Sequence, residues 1–203
     1  MAEDAETAWV KICGVRSLEQ AFHAWRCGAD AIGLNLYAPS PRSIDAPTAR
    51  AIARKSPLPC YVVVVDPSSE DLRALNMAIQ PAGFQLHGGQ PLPGLNCLVA
   101  VRAGDPLPSG RFLLDARVEG LHGGTGVRVD EELARDAAAQ GELILAGGLT
   151  PENVAGVIER VGPWGVDVAS GVESAPGRQD PDRVREFIAR AKGLAPDFLS
   201  GGV

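Results

Sequence analysis

Eight short runs of strand-forming, largely apolar residues recur along this chain, and most are followed by a segment with helical spacing. They span residues 9–13, 31–36, 60–65, 84–87, 97–101, 112–116, 143–146 and 165–170. Runs that are apolar on both faces and alternate with helices predict a parallel sheet covered on both sides. Eight of them predict an α/β fold closed as a single (β/α)8 barrel. A doubly wound open sheet is the alternative, but no GxGxxG follows the first run.

Helix signals fall where such a barrel needs them. Ser17 is placed to cap a helix ending near Gly28, with Leu18, Ala21, Phe22 and Trp25 on one stripe. Asp45 and Pro47 open a second helix, reaching about residue 55, and Ser69 begins a third. Residues 130–140 and 180–192 read as helical, and Thr150 with Pro151 signals a further start between them. Two connections break the pattern. GGQPLPGLN and RAGDPLPSG carry too much proline and glycine for packing helices, so the outer ring should be thin beside the fourth, fifth and sixth strands.

The 203 residues suit one domain, with residues 1–8 and 194–203 expected to be loosely held tails. A net charge of −6 and the lack of a basic run argue against nucleic acid as a partner. No apolar run is long enough to cross a bilayer, and MAEDAETA has no apolar signal core. Cys13, Cys27, Cys60 and Cys97 form no CxxC pair and show no zinc-ligand spacing. Free thiols in a reducing cytoplasm, and no metal, are the expectation. A monomer or a homodimer would suit the thin outer ring.

In a barrel of this class the site lies at the C-terminal strand ends. Cys13 ends the first strand, Asn35 lies near the end of the second, and His87 ends the fourth. Asp115 lies at the end of the sixth, Gly147 and Gly148 follow the seventh, and Ser170 ends the eighth. Alternation puts Lys11 and Cys13 on one face, and Leu113 with Asp115 on another. If both faces point inward, thiol and carboxyl converge. HGGTG at 122–126, AGGLT at 146–150 and ASGVE at 169–173 are glycine turns whose N–H groups can approach an anion, which points to a phosphorylated ligand. Read singly, each feature has an ordinary explanation. Cys13 is then a small packing residue, His87 a structural histidine, Arg42 a solvated loop charge, and the glycines plain αβ turns. Asp167 is harder to read that way, because its strand is otherwise apolar.

Taken together, VKICGVRSLEQA, GADAIGLNLYAPSPRSI, FQLHGGQP, LLDA, GGTG, LILAGGLTPENV and GVDVASGVESAPGRQDP resemble the phosphoribosylanthranilate isomerases of tryptophan biosynthesis. They occur in that family's order from about Val10 to Lys192. The resemblance implies a (β/α)8 barrel that needs no metal or cofactor. It also implies an aldose–ketose isomerase performing an Amadori rearrangement. Cys13 would be the general base and Asp115 the general acid. Arg42 would meet the anthranilate carboxylate, with His87 and Asp167 also on the substrate. The turns holding Gly124, Thr125, Gly126, Gly147, Gly148, Ser170 and Gly171 would take the phosphate. An acid at neutral pH should be raised by burial above roughly 3.9, and a thiol base lowered from roughly 8.5, with Lys11 on the same face placed to lower it.

Three positions depart from the resemblance: Val127 where a lysine is common, Asn35 where an apolar residue is common, and Ser43 where an aromatic is common. They bear on phosphate affinity and substrate range. A ribulose-phosphate epimerase would want metal-binding histidines, and an indole-glycerol-phosphate synthase catalytic lysines at strand ends; the chain offers neither set. A non-catalytic phosphate-binding barrel is the rival of a different class. It would keep the glycine turns and place no demand on Cys13 or Asp115.

Overall fold

The computed structural model describes residues 7–116 and 130–194. The strands are β1 (Trp9–Cys13), β2 (Ala31–Asn35), β3 (Cys60–Val65), β4 (Gly83–His87), β5 (Cys97–Arg102), β6 (Arg111–Asp115), β7 (Glu142–Ala146) and β8 (Gly165–Val168). They form a closed parallel barrel in chain order. Closure is direct: Trp9 pairs with Gly165 and Lys11 with Asp167, joining the last barrel strand to the first. The expected barrel is therefore present, and the open sheet is excluded.

Most helices start where their capping residues dictate. Ser17 accepts the Gln20 N–H ahead of α1 (Leu18–Arg26), and Asp45 accepts the Thr48 N–H ahead of α2 (Ala46–Ala53). Ser68 and Asp71 form a reciprocal capping box at α3 (Ser69–Ile79). Asp130 and Asp180 cap α4 (Glu131–Ala138) and α6 (Pro181–Ala191). The helix expected from Thr150 begins later, as α5 (Val154–Val161). Thr150 does not cap it. Asn153 instead accepts the Thr150 N–H at 2.8 Å and donates to the Gly148 carbonyl at 2.9 Å, so residues 150–153 turn back on the glycine pair. The buried stripe of α1 also differs from expectation. Ala21 and Ala24 face the core, whereas Phe22 and Trp25 are exposed and meet edge to face. Small residues let the helix approach the sheet closely, which moves the aromatics outward.

The main core lies between strands and helices. A smaller cluster of Leu98, Leu113, Ile144 and Ala146 fills the barrel interior, with Trp9, Tyr61 and Trp164 packed against it. Among the described residues the only buried polar or charged side chains are Lys11, Gln85 and Asp167. All three sit on barrel strands, so the polar layer lies where a site can use it. The links from β4 to β5 and from β5 to β6 contain no helix. Leu92, Leu95 and Leu107 from those links pack on the core in their place. After β8 come a single 3₁₀ turn, Ser170–Val172, and an antiparallel hairpin of β9 (Glu173–Ala175) and β10 (Arg178–Gln179). The expected eighth strand, 165–170, thus stops at Val168 because the chain turns at Ala169. The tails expected at 1–8 and 194–203 fall largely outside the described residues.

Candidate active site

One cavity at the C-terminal mouth of the barrel collects the residues at its strand ends. Cys13, Asp115, Arg42, His87 and Asp167 all line it, as do Gly147, Gly148, Ser170 and Gly171. Residues separated by more than a hundred positions meet because parallel strands deliver all their C-terminal ends to one rim. The turn holding Gly124, Thr125 and Gly126, together with Val127, lies outside the described residues.

Cys13 is buried, and its neighbours make room for it. A methyl on Gly33 would lie 2.7 Å from Cys13 Sγ, so the glycine on the adjacent strand provides the space the thiol occupies. Gly14 follows at φ +74°, a left-handed conformation that glycine adopts without strain, and a side chain there would reach Arg42 Cδ at 2.8 Å. Glycine after the cysteine therefore lets the chain turn and lets the arginine lie over the thiol loop.

Beneath the rim, Lys11 Nζ donates to Asp167 Oδ1 at 2.7 Å, and Lys11 is fully buried. Burial opposes the ammonium, but the Asp167 carboxylate and the Cys13 thiol outweigh it and hold the Lys11 pKa above its ordinary value. Removing either member of such a pair leaves an uncompensated buried charge, at a cost of about 3–5 kcal/mol. The effect on Cys13 reverses the expectation from sequence. Burial pushes the thiol up, and Asp167 adds to that. The Lys11 ammonium, the Gly14 N–H and the Arg42 guanidinium pull it down, and burial wins. Lys11 stands where it was expected; Asp167, as its ion-pair partner, also acts on the thiol.

His87 and Gln85 share the inward face of β4, and the Gln85 amide nitrogen lies 2.9 Å from His87 Nε2. Burial lowers the His87 pKa, which keeps the imidazole neutral at physiological pH. Gln85 is buried, and its Oε1 finds no hydrogen-bond partner among the described residues. Asn35 spends its side chain on its own loop, accepting the Tyr37 N–H at 2.8 Å and donating to Ser40 Oγ at 3.4 Å. It shapes the segment that carries Arg42. Ser43 lines a separate groove beside α2 and α3.

The glycine turn after β7 has φ +87° at Gly147 and +73° at Gly148, and Asn153 ties it to the start of α5. Gly171 passes so close to the Leu149 carbonyl that no side chain fits. The two turns thus pack against each other, and both open on the cavity.

The family model for N-(5'phosphoribosyl)anthranilate (PRA) isomerase matches residues 99–190. The N-(5'-phosphoribosyl)anthranilate isomerase of Citrifermentans bemidjiense is 41% identical, over 92% of this chain and 98% of its own. The chain belongs to the N-(5'-phosphoribosyl)anthranilate isomerase family. Its fold agrees with the crystal structure of phosphoribosyl anthranilate isomerase from Thermotoga maritima at a TM-score of 0.81 and 33% identity, covering 92% of this chain and all of that one. A second phosphoribosyl anthranilate isomerase structure, in complex with reduced 1-(o-carboxyphenylamino)-1-deoxyribulose 5-phosphate, matches at a TM-score of 0.78 and 31% identity, over 92% of this chain and 100% of that one.

Within this family frame, sequence reasoning missed three side chains that shape the site. Gln85 had a readable signal, because it shares His87's strand face. Glu173 and Gln179 lie in a segment that carries the resemblance, but nothing local marks them as partners of Arg42 and Cys13. They act on Arg42 and Cys13 through a hairpin whose residues look like an ordinary loop. No described helix is long and apolar enough to cross a membrane.

Proposed function

We propose that this protein converts N-(5-phosphoribosyl)anthranilate to 1-(2-carboxyphenylamino)-1-deoxyribulose 5-phosphate, as an aldose–ketose isomerase in tryptophan biosynthesis. The observation that carries the reading is that Cys13 and Asp115 line the same cavity as the glycine turns. The non-catalytic barrel required no such convergence. Asp115 donates a proton to the furanose ring oxygen, and the sugar opens to a protonated Schiff base. Cys13 then removes the proton from the second sugar carbon, giving an enolamine that tautomerises to the ketone. Carbon 1 is reduced and carbon 2 oxidised within one molecule, so no external electron carrier is consumed.

The raised thiol pKa fits that order of steps. Burial favours the neutral thiol over the thiolate. Ring opening places an iminium cation one bond from the carbon to be deprotonated. That charge both acidifies the C–H and favours thiolate, so the base is called on when the substrate can use it. Arg42 takes the anthranilate carboxylate, with His87 as a neutral hydrogen-bonding partner and Asp167 beside it. Gly147, Gly148, Ser170 and Gly171 present the phosphate site, to which Gly124, Thr125 and Gly126 are assigned from the sequence. We place the enzyme in the cytoplasm, acting without nucleic acid or membrane partners.

The test is loss of anthranilate-type fluorescence when purified protein meets freshly generated phosphoribosylanthranilate. Wild type should turn over, and Cys13→Ala and Asp115→Ala should each lose at least ~10²-fold, the usual worth of a general acid or base. A variant retaining most of the rate removes its residue from the mechanism, and an inert wild type removes the assignment altogether.

A further inference from the structure

Glu173 opens the hairpin that follows β8, and its side chain is only 4% exposed. Both carboxylate oxygens are occupied. Oε1 accepts from Arg42 Nε at 2.7 Å and from the Gly177 N–H at 3.1 Å, and Oε2 accepts from Arg42 Nη2 at 2.6 Å. This two-pronged geometry fixes the plane of the guanidinium as well as its position. It uses two of the five N–H donors of Arg42, so three are left for another anion. The same hairpin reaches the thiol loop: Gln179 Nε2 donates to the Cys13 carbonyl at 3.1 Å. Arg16, in the thiol loop, donates to the Gly177 carbonyl at 3.3 Å, and on the loop of Arg42 the Pro41 carbonyl lies so close to Gly177 that a side chain there would overlap it.

We propose that Glu173 is a positioning residue for substrate selection: it holds Arg42 in the plane needed to receive the ring carboxylate, and the β9–β10 hairpin keeps that plane in register with Cys13. The proposal rests on the reading of Arg42 as the carboxylate partner. Glu173 also carries a negative charge, which opposes an incoming anion. Orientation outweighs that charge because a free arginine keeps the rotamer freedom of a long side chain and must lose it on binding. A guanidinium already aligned binds a planar carboxylate without that loss.

The experiment compares two substrates, phosphoribosylanthranilate and its analogue lacking the ring carboxylate. The quantity read is the ratio of their kcat/KM values. Glu173→Ala should lower the preference for the carboxylate by ~10-fold, the loss of about one charge-assisted contact, chiefly through KM. Glu173→Gln keeps the side chain's size and one acceptor, and should fall between wild type and Ala. Arg42→Ala run in parallel should abolish the preference. A ratio that stays constant or rises in the Glu173 variants, with Arg42→Ala still losing preference, overturns the positioning role alone. Equal losses on both substrates would make Glu173 a general brace and also overturn it. An unchanged ratio in Arg42→Ala overturns the carboxylate assignment itself, and the proposal with it.

Discussion

At the scale of single residues, the thiol of Cys13 has the most to report. Its pKa is raised by burial against the pull of Lys11, so the proposed base gains population as pH climbs. The ultraviolet thiolate absorbance that Cys13→Ala removes should therefore keep rising through pH 9, where an ordinary thiol of pKa roughly 8.5 would already be levelling. A difference titration that levels below pH 8 would show the thiol lowered instead. The same shift has a sign for stability. The folded protein holds this proton more tightly than the unfolded chain, so the contribution is present below the unfolded pKa and is lost as pH rises through the folded one. The placement of Cys13 and Asp115 at one cavity was legible in sequence because strand parity and the strand-end rule need only a local pattern. The direction of the thiol's shift was not. It depends on Asp167 standing beside Lys11, which the register of β8 on β1 decides.

The elements divide into those with local signals and those without. Ser17, Asp45, Asp130 and Asp180 each announce a helix, and each caps one. The two proline- and glycine-rich links announce the missing helices equally well. The buried face of α1 differs because tertiary packing rather than propensity settles it, and α5 starts late because Asn153 bonds the Thr150 N–H and the Gly148 carbonyl in a local turn. The thin side of the barrel has a measurable result. β5 is covered by loops, with Cys97 and Val99 only partly buried, whereas Val62 and Val64 of β3 share the core with Ile52 of α2 and Leu72 of α3. Amides of residues 97–102 should exchange with deuterium ~10-fold sooner than those of 60–65, a difference of about 1.4 kcal/mol in opening. Equal protection along the two strands, read by mass spectrometry, would mean the loops cover as well as helices do.

For the whole molecule, charge gives a clean discriminator. The chain carries a net charge of −6, so general attraction for anions is absent, and stabilisation by phosphate too dilute for general salting-out must come from a built site. Inorganic phosphate should raise the melting temperature above that in chloride of equal ionic strength, by mass action worth about 2.7 kcal/mol at a hundredfold excess over Kd. Equal melting temperatures in the two salts would remove the phosphate role of the glycine turns. The global topology was legible in the count of strands. The hairpin was not, because its partners lie at the other end of the chain.

That distance puts the site on a clock. Lys11 meets Asp167 across 156 positions, Arg42 meets Glu173 across 131, and Cys13 meets Gln179 across 166. A growing chain emerges from the ribosome with its thiol well before the thiol's partners. Until residues 165–179 have been made, Lys11 lacks this counter-charge, Arg42 lacks this brace and the first strand has no neighbour on one side. A chain cut short before them carries Cys13 and Asp115 without the strand and hairpin that complete the rim around the thiol.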